Sequence, residues 1–173
     1  MVITLIGMPG AGKSCMGKIL ARRFKLKFLD GDKLIEQVTG RELHNIIAED
    51  GIDGFKRIEE EVLLSIDEDD IVFAPGGSAV YYDSVMRKFR ERGPVVYLYI
   101  TPEVLTKRLG DYSKRGIVLK EGDTLADLYA ERAPLFEKYA DLTISCNGTA
   151  YSKYRSILIN KIESIIAKEN AHE

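Results

Sequence analysis

The chain has 173 residues, of which 45% are hydrophobic and 30% are charged, and its formal net charge is -2 at pH 7. This composition is typical of a globular domain whose core needs no disulfide framework. Two cysteines argue against a disulfide framework or a cysteine-rich zinc site, and two histidines argue against a His-rich metal site. The balanced charge argues against broad nucleic-acid binding, and no apolar run approaches the roughly 20 residues that span a bilayer.

These features predict the setting in which the chain works. We expect a single domain over residues 1–173, with neither nucleic acid nor membrane as a partner. The opening string MVITLIGMPG lacks the basic segment and cleavage site of a signal peptide, so we expect a cytoplasmic location. Small size and balanced charge favour a monomer.

Short continuous apolar runs, typical of strands buried on both faces, alternate with helical spacings of apolar residues. In chain order the patterns predict strand 2–6, helix 13–24, strand 27–30, helix 32–38, a helical segment from 42, helix 55–66, strand 71–74, helix 84–92, strand 95–100, helix 102–109, helix 124–139, strand 142–144 and helix 150–168. Gly51 and Gly54 are expected to break the segment that starts at 42, and Pro134 to kink or break its helix. This alternation predicts an α/β fold with a parallel sheet and helices on both faces.

The string GMPGAGKS at residues 7–14 matches the phosphate-loop pattern G-x-x-x-x-G-K-[ST] between the first strand and the first helix. Its glycines allow backbone N–H groups to surround phosphate oxygens, and the positive end of the helix dipole faces the anion. Lys13 adds a charge for the β- and γ-phosphates, and the Ser14 hydroxyl suits Mg²⁺. We assign nucleotide binding to Gly10, Ala11, Gly12, Lys13, Ser14 and Cys15.

A phosphate loop alone is compatible with many nucleotide-binding classes. The N-K-x-D string of signalling GTPases is not present in the sequence, and AAA-type ATPases are larger. The short chain, with its phosphate loop starting at residue 7, favours a small kinase that acts on a metabolite or a nucleotide.

Five strings, in this order and spacing, resemble the shikimate kinase family over residues 2–160. They are GMPGAGKS, Asp30-Gly31-Asp32, FKRIEEEV from residue 55, Gly76-Gly77-Ser78 and ERAPLF from residue 131. The resemblance implies the three-layer, nucleoside monophosphate kinase-like fold of P-loop kinases, with a five-stranded parallel sheet in the order 2-3-1-4-5 flanked by helices. It also implies a core with a substrate-binding lobe near residues 31–60 and a lid near 110–123.

The resemblance implies roles for the catalytic and metal-binding positions. Lys13, Asp32 and Arg115 are the expected catalytic residues: Asp32 orients or deprotonates the attacking hydroxyl, and Arg115 on the lid reaches the transferring phosphoryl group. Ser14 and Asp30 are the expected ligands of Mg²⁺, Asp30 through water. For the two aspartates the structural alternative is helix capping and first-turn charge.

The resemblance also implies which residues hold the substrates. Arg108 corresponds to an arginine that stacks on adenine. The expected acceptor-binding residues are Asp32, Lys56, Gly76, Gly77, Ser78 and Arg132. Among them, Lys56 and Arg132 would surround the acceptor carboxylate. The alternatives are a surface ion pair of Lys56 with Glu59, a salt bridge of Arg132 on its own helix, and glycines that only end a strand.

Several positions depart from the family strings, among them Ile52, which follows Gly51 where the family has a glutamate, and Ile117 in the lid. Three departures bear most directly on the acceptor. Lys56 occupies an arginine position, where it keeps the charge but loses the planar fork that matches a carboxylate. Ser78 replaces a third glycine and adds a hydroxyl beside the acceptor. In the lid, Gly116 follows Arg115 in place of a proline, so closure costs more ordering entropy. A solvated basic loop is the alternative for this segment.

Two kinds of function fit these residues. The first is an ATP- and Mg²⁺-dependent kinase of a small hydroxylated carboxylate, by resemblance shikimate at its 3-hydroxyl. Within this reading, a related kinase could instead take a gluconate-type sugar acid or a nucleoside monophosphate, because the departures fall at acceptor positions. The second is a non-catalytic nucleotide-binding regulatory protein, against which Asp32 argues, since a pure ATP binder needs no carboxylate at the acceptor.

Overall fold

The computed structural model describes residues 1–109, 122–148 and 151–169 of the chain. Its five strands are β1 Val2–Ile6, β2 Lys27–Asp30, β3 Ile71–Ala74, β4 Val95–Tyr99 and β5 Leu142–Ser145. All neighbouring strands pair in parallel, and the strand order is β2-β3-β1-β4-β5. The expected α/β fold and the strand order 2-3-1-4-5 are confirmed.

Seven helices accompany this sheet in the described part of the chain. They are α1 Lys13–Phe24, α2 Gly31–Thr39, α3 Leu43–Leu64, α4 Asp83–Glu91, α5 Pro102–Leu109, α6 Leu125–Tyr139 and α7 Tyr151–Glu169. A short 3-10 turn, Ala79–Tyr81, follows the glycine loop after β3 and was not predicted from the sequence. None of the described helices is long and apolar enough to cross a membrane.

The third helix corrects one expectation from the sequence. Gly51 interrupts α3 with φ 72° and ψ 177°, a conformation that glycine adopts at little cost, so the expected break is present there. Gly54 does not break the helix: it is buried inside α3, and a methyl group added to it would lie 2.6 Å from Cβ of Asp50. Pro134 lies inside α6 without ending it.

The fold brings the predicted site together at one edge of the sheet. Strands β1, β3 and β4 are almost entirely buried, as their continuous apolar runs predicted. Because the strands are parallel, the loops after β1, β2 and β3 meet at the same carboxyl edge, where ligands bind in open α/β sheets. The phosphate loop, Asp30 and the glycine loop at 76–77 therefore become neighbours.

Most of the predicted lid, including Arg115 and Gly116, lies outside the described residues. The division into a core, a substrate-binding lobe at 31–60 and a lid at 110–123 stays a prediction.

Candidate active site

The phosphate loop connects β1 directly to α1. Gly10 and Gly12 have φ values of 78° and 100°, a left-handed region that lets the backbone curl before the helix begins at Lys13. The backbone N–H of Met16 bonds to the Gly12 carbonyl at 2.9 Å, so the first turn of α1 starts from the loop itself. The helix N-terminus is thereby aimed at the space above the loop, where an anion is stabilised.

Lys13 crosses this loop and is held by it. Its Nζ donates hydrogen bonds to the carbonyls of Gly7 at 2.8 Å and Met8 at 3.1 Å. Burial, with a smaller effect from the charge of Arg132, lowers the pKa of Lys13 to about 8, although the charges of Asp32 and Asp30 act in the opposite direction. The lysine is thus a cation whose charge is costly until an anion joins it.

Ser14 and Asp30 meet beside the loop, although they come from different elements. The Ser14 hydroxyl on α1 donates to Oδ2 of Asp30, the last residue of β2, at 2.9 Å. Asp30 precedes α2 but makes no side-chain capping bond, so its carboxylate is not used as a helix cap. Two hard oxygen ligands converge here, while the described residues contain no cluster of three or more metal-binding side chains. This set suits Mg²⁺, which binds through one or two protein oxygens plus phosphates and water.

Asp32 lies in the first turn of α2, across the cleft from the phosphate loop. Part of its side chain is exposed to the cleft, but the protein packed around the carboxyl raises the pKa of Asp32 above its ordinary value. The charge of Lys13 opposes this rise, and that of Asp30 adds to it. A methyl group added at Gly76 would lie 2.6 Å from Oδ1 of Asp32, so the carboxyl closely approaches the loop after β3, and a larger residue there would displace it.

A buried carboxyl on α3 stands next to Asp32. Glu59 has no exposed surface, and it accepts hydrogen bonds from the hydroxyls of Ser78 at 2.7 Å and Tyr82 at 2.6 Å. Burial raises the pKa of Glu59, the two hydrogen bonds oppose that rise, and the charge of Asp32 adds to it. The suggested ion pair of Glu59 with Lys56 is therefore not its arrangement: Glu59 ties α3 to the glycine loop and to the residue before α4.

A small pocket, in which we expect the acceptor to bind, opens beside these groups. It is lined by Ile52, Phe55, Lys56, Ser78, Tyr81, Asp123, Leu128, Glu131 and Arg132. Arg132 is 5% exposed, so the pocket contains a nearly buried guanidinium. A methyl group added at Gly77 would lie 2.9 Å from Nη1 of Arg132, which places the glycine loop directly against this cation. Besides its apolar walls, the lining holds two cations, Lys56 and Arg132, and two carboxylates, Asp123 and Glu131. The two cations suit the acidic group of a small organic anion.

Arg108 and Cys15 occupy the other side of the phosphate loop. Arg108 on α5 donates from Nη1 to the Gly10 carbonyl at 3.4 Å and from Nη2 to the Cys146 carbonyl at 2.6 Å. It therefore links the loop to the segment after β5, and its role in adenine stacking stays a prediction. Cys15 is exposed and borders the phosphate cleft together with Ser14.

In the described part of the chain, the structure thus places the predicted nucleotide residues at the phosphate loop and the predicted acceptor residues at a neighbouring pocket. Their roles stay predictions. The structure also adds three residues that were not assigned from the sequence: Glu59, Tyr81 and Tyr82. Glu59 belongs to the FKRIEEEV string, but its hydrogen-bond partners could not be predicted, because they come from a segment later in the chain. The two tyrosines come three and four residues after the Gly76-Gly77-Ser78 string, and this position was the one feature of the sequence that could have indicated a role at the site.

Comparison with known proteins agrees with this geometry. The shikimate kinase family model matches residues 9–163. A shikimate kinase of Francisella tularensis subsp. novicida is 36% identical over 171 residues, which cover 96% of this chain and 95% of that protein.

Solved structures give the same answer. The shikimate kinase of Acinetobacter baumannii in complex with shikimate has a TM-score of 0.83 and 31% identity, over 96% of this chain and 93% of that one. That of Aquifex aeolicus has a TM-score of 0.79 and 27% identity, over 92% and 95% of the two chains. The chain belongs to the shikimate kinase family and is an ATP-dependent kinase.

Proposed function

We propose that the chain transfers the γ-phosphoryl group of ATP to the 3-hydroxyl of shikimate. The observation that carries this proposal is the proximity of Lys13 and the Asp32 carboxyl to a pocket with the cations Lys56 and Arg132. Arg132 is close enough for its charge to lower the pKa of both Lys13 and Asp32. Phosphorylation of a hydroxylated carboxylate requires a site for the phosphate donor, a group that accepts the hydroxyl proton, and a pocket that binds the carboxylate. The phosphate loop, Asp32 and the pocket with two cations correspond to these three parts. The shikimate bound to the relative from Acinetobacter baumannii supports this acceptor.

The nucleotide is held at the phosphate loop. Backbone N–H groups of Gly10, Ala11 and Gly12 and the first turn of α1 bind phosphate oxygens, and Lys13 leaves the Gly7 and Met8 carbonyls to contact the anion. Ser14 and Asp30 would hold Mg²⁺, which when bound supplies charge neutralisation on the phosphate oxygens.

At the acceptor end, Lys56 and Arg132 bind the carboxylate and orient the ring of the acceptor. The oxygen of the acceptor hydroxyl then bonds to the γ-phosphorus, while the bond from that phosphorus to the bridging oxygen of ADP breaks. Asp32 accepts the proton that this hydroxyl loses. A raised pKa suits Asp32 to this task, because a base close in pKa to the working pH exchanges protons efficiently. We assign Arg115 of the lid to the transferring phosphoryl group, as the family resemblance implies.

A related kinase with another acceptor is the second candidate. Lys56 and Ser78 favour it, because both line the pocket and both differ from the family strings. A gluconate-type sugar acid would use the same two cations, whereas a nucleoside monophosphate would need a larger space for its base.

The test is an ADP-release assay with ATP and Mg²⁺ on a panel of shikimate, quinate, gluconate and the common nucleoside monophosphates. We expect rapid turnover with shikimate, and NMR of the product should place the phosphate on the 3-hydroxyl. Turnover with another acceptor and none with shikimate would reject the proposed substrate and favour the second candidate. ATP binding without turnover on any acceptor would favour the regulatory alternative.

We further propose that the chain acts as a cytoplasmic monomer on a small molecule, with no nucleic-acid or membrane partner. The balanced charge supports this. Light scattering after size-exclusion chromatography tests the monomer: a mass near 19.4 kDa is expected, and a stable dimer mass would contradict it.

A further inference from the structure

Tyr81 stands between the two cations of the acceptor pocket. It ends the 3-10 turn after the glycine loop, and its half-buried ring lines the pocket. Lys56 Nζ lies 5.8 Å from the ring centroid, and the guanidinium carbon of Arg132 lies 5.2 Å from it. The ring thus offers its π electrons to both charges, which otherwise repel each other.

The direction of the hydrogen bond at the Tyr81 hydroxyl is also defined. Arg132 donates from Nε to the Tyr81 oxygen at 3.1 Å. A guanidinium has no acceptor, so the tyrosine oxygen must be the acceptor in this bond. The hydroxyl proton of Tyr81 therefore remains available for a different acceptor.

The other two hydroxyls at this end of the cleft are directed the opposite way. Ser78 and Tyr82 both donate their protons to the buried carboxyl of Glu59. While these bonds persist, neither hydroxyl can donate to a bound anion. Among the hydroxyls described here, Tyr81 is the one placed to do so.

A second donor is what the substitution at position 56 requires. An arginine binds a carboxylate through two parallel N–H bonds, whereas a lysine offers a single point charge without that directionality. Lys56 and Tyr81 lie on the same pocket wall, so together they can supply a charge and a directed donor.

We propose that Tyr81 is an acceptor-binding residue whose hydroxyl donates a hydrogen bond to the acceptor carboxylate, replacing the second, directed hydrogen bond that an arginine at position 56 would make. This inference is built on the proposed function and names the ligand class more narrowly: a hydroxylated monocarboxylate held by Lys56, Arg132 and Tyr81.

The first test is Tyr81→Phe, which keeps the ring between the cations and removes only the hydroxyl. Loss of a hydrogen bond to a charged group should raise KM for shikimate roughly tenfold or more, with kcat and KM for ATP nearly unchanged, because the lost contact is made equally in the ground and transition states. The control is Tyr129→Phe, whose hydroxyl donates to the Ile100 carbonyl instead, and whose KM for shikimate should match that of the wild type.

The second test is rescue. Lys56→Arg in the Tyr81→Phe background should bring KM for shikimate back to within about threefold of wild type, because the arginine restores two donors. A Tyr81 that only positioned Arg132 through its Nε bond would not be rescued at position 56. Failure of this rescue, or an unchanged KM in Tyr81→Phe, overturns the inference.

The outcomes separate this inference from the proposed function. If the wild type phosphorylates shikimate but Tyr81→Phe behaves like wild type, only the inference falls. If the wild type phosphorylates another hydroxylated carboxylate, the proposed substrate falls, and the same KM rise and rescue on that acceptor still support Tyr81. If only a nucleoside monophosphate is phosphorylated, both fall.

Discussion

The nucleotide end and the acceptor end of the cleft are assembled in different ways. Apart from Arg108 on α5, the nucleotide end takes its groups from one stretch, residues 7–30, in which loop, helix and strand follow each other directly. The acceptor end collects Lys56 from α3, Ser78 and Tyr81 from the loop after β3, and Arg132 from α6. Local chemistry can therefore be read at the first end, whereas contacts between distant segments decide the second.

The two ends also differ in how charge is held. At the nucleotide end, burial lowers the pKa of a lysine, whose charge awaits an anionic ligand. At the acceptor end, two carboxyls, Asp32 and Glu59, have pKa values raised by burial, and Glu59 is stabilised by hydroxyl donors of the protein itself. The comparison predicts that the charge at the nucleotide end is stabilised by ligand binding, whereas the buried Glu59 at the acceptor end is stabilised by hydrogen bonds within the protein.

The largest effect is expected at the nucleotide end. Lys13→Ala removes the cation that contacts the transferring phosphate, and kcat in the ADP-release assay should fall by roughly 10³-fold, as for loss of a main transition-state donor. Lys18→Ala, an exposed lysine on the same helix, is the matched control and should retain wild-type turnover. Equal losses in both variants would show that the general charge of α1, rather than Lys13, matters.

Asp32→Asn tests the carboxyl that faces both ends. The substitution keeps the shape of the side chain and removes the proton acceptor, so kcat should fall by roughly 10²-fold. This is the low end for general-base catalysis, because the hydroxyl has lost little of its proton when the loose transition state of phosphoryl transfer is reached. Asp53→Asn, an exposed aspartate on α3, is the control. An Asp32→Asn enzyme with full activity would reject the catalytic assignment of this residue.

The same contrast explains how much was predictable from the sequence. The strands were found because each is a short buried apolar run, and the phosphate loop because its spacing is local. Gly54 was misjudged, since glycine weakens a helix in isolation but is accommodated where packing leaves no room for a side chain. Tyr81 was missed, because its partners on α3 and α6 are brought to it only by the tertiary fold.

A pH profile distinguishes the charges at the two ends. With a pKa of about 8, Lys13 loses its proton above that pH, and kcat/KM for ATP should fall about tenfold between its plateau and pH 9. Because the pKa of Asp32 is raised, the acid limb should lie above the ordinary value of about 4 for aspartate.

The control for the alkaline limb is Lys13→Arg, whose guanidinium stays charged, so that limb should disappear even if the plateau is lower. A wild-type alkaline limb near pH 10 would contradict the assigned lowering of the Lys13 pKa.

The smallest effect is expected at the acceptor end, and it concerns stability. Ser78→Ala removes one of the two hydroxyls that donate to the buried Glu59. Loss of a hydrogen bond to a buried charge should lower the free energy of unfolding by about 1–3 kcal/mol, measured by urea denaturation. The chain offers a matched control in Ser84, which donates to the exposed side of the same helix at Glu60. Because water replaces that bond, Ser84→Ala should change stability by less than about 0.5 kcal/mol. If the two variants lose the same free energy of unfolding, the hydrogen bond to the buried Glu59 is no stronger than the one to the exposed Glu60. That result would contradict the conclusion that internal hydrogen bonds stabilise the acceptor end.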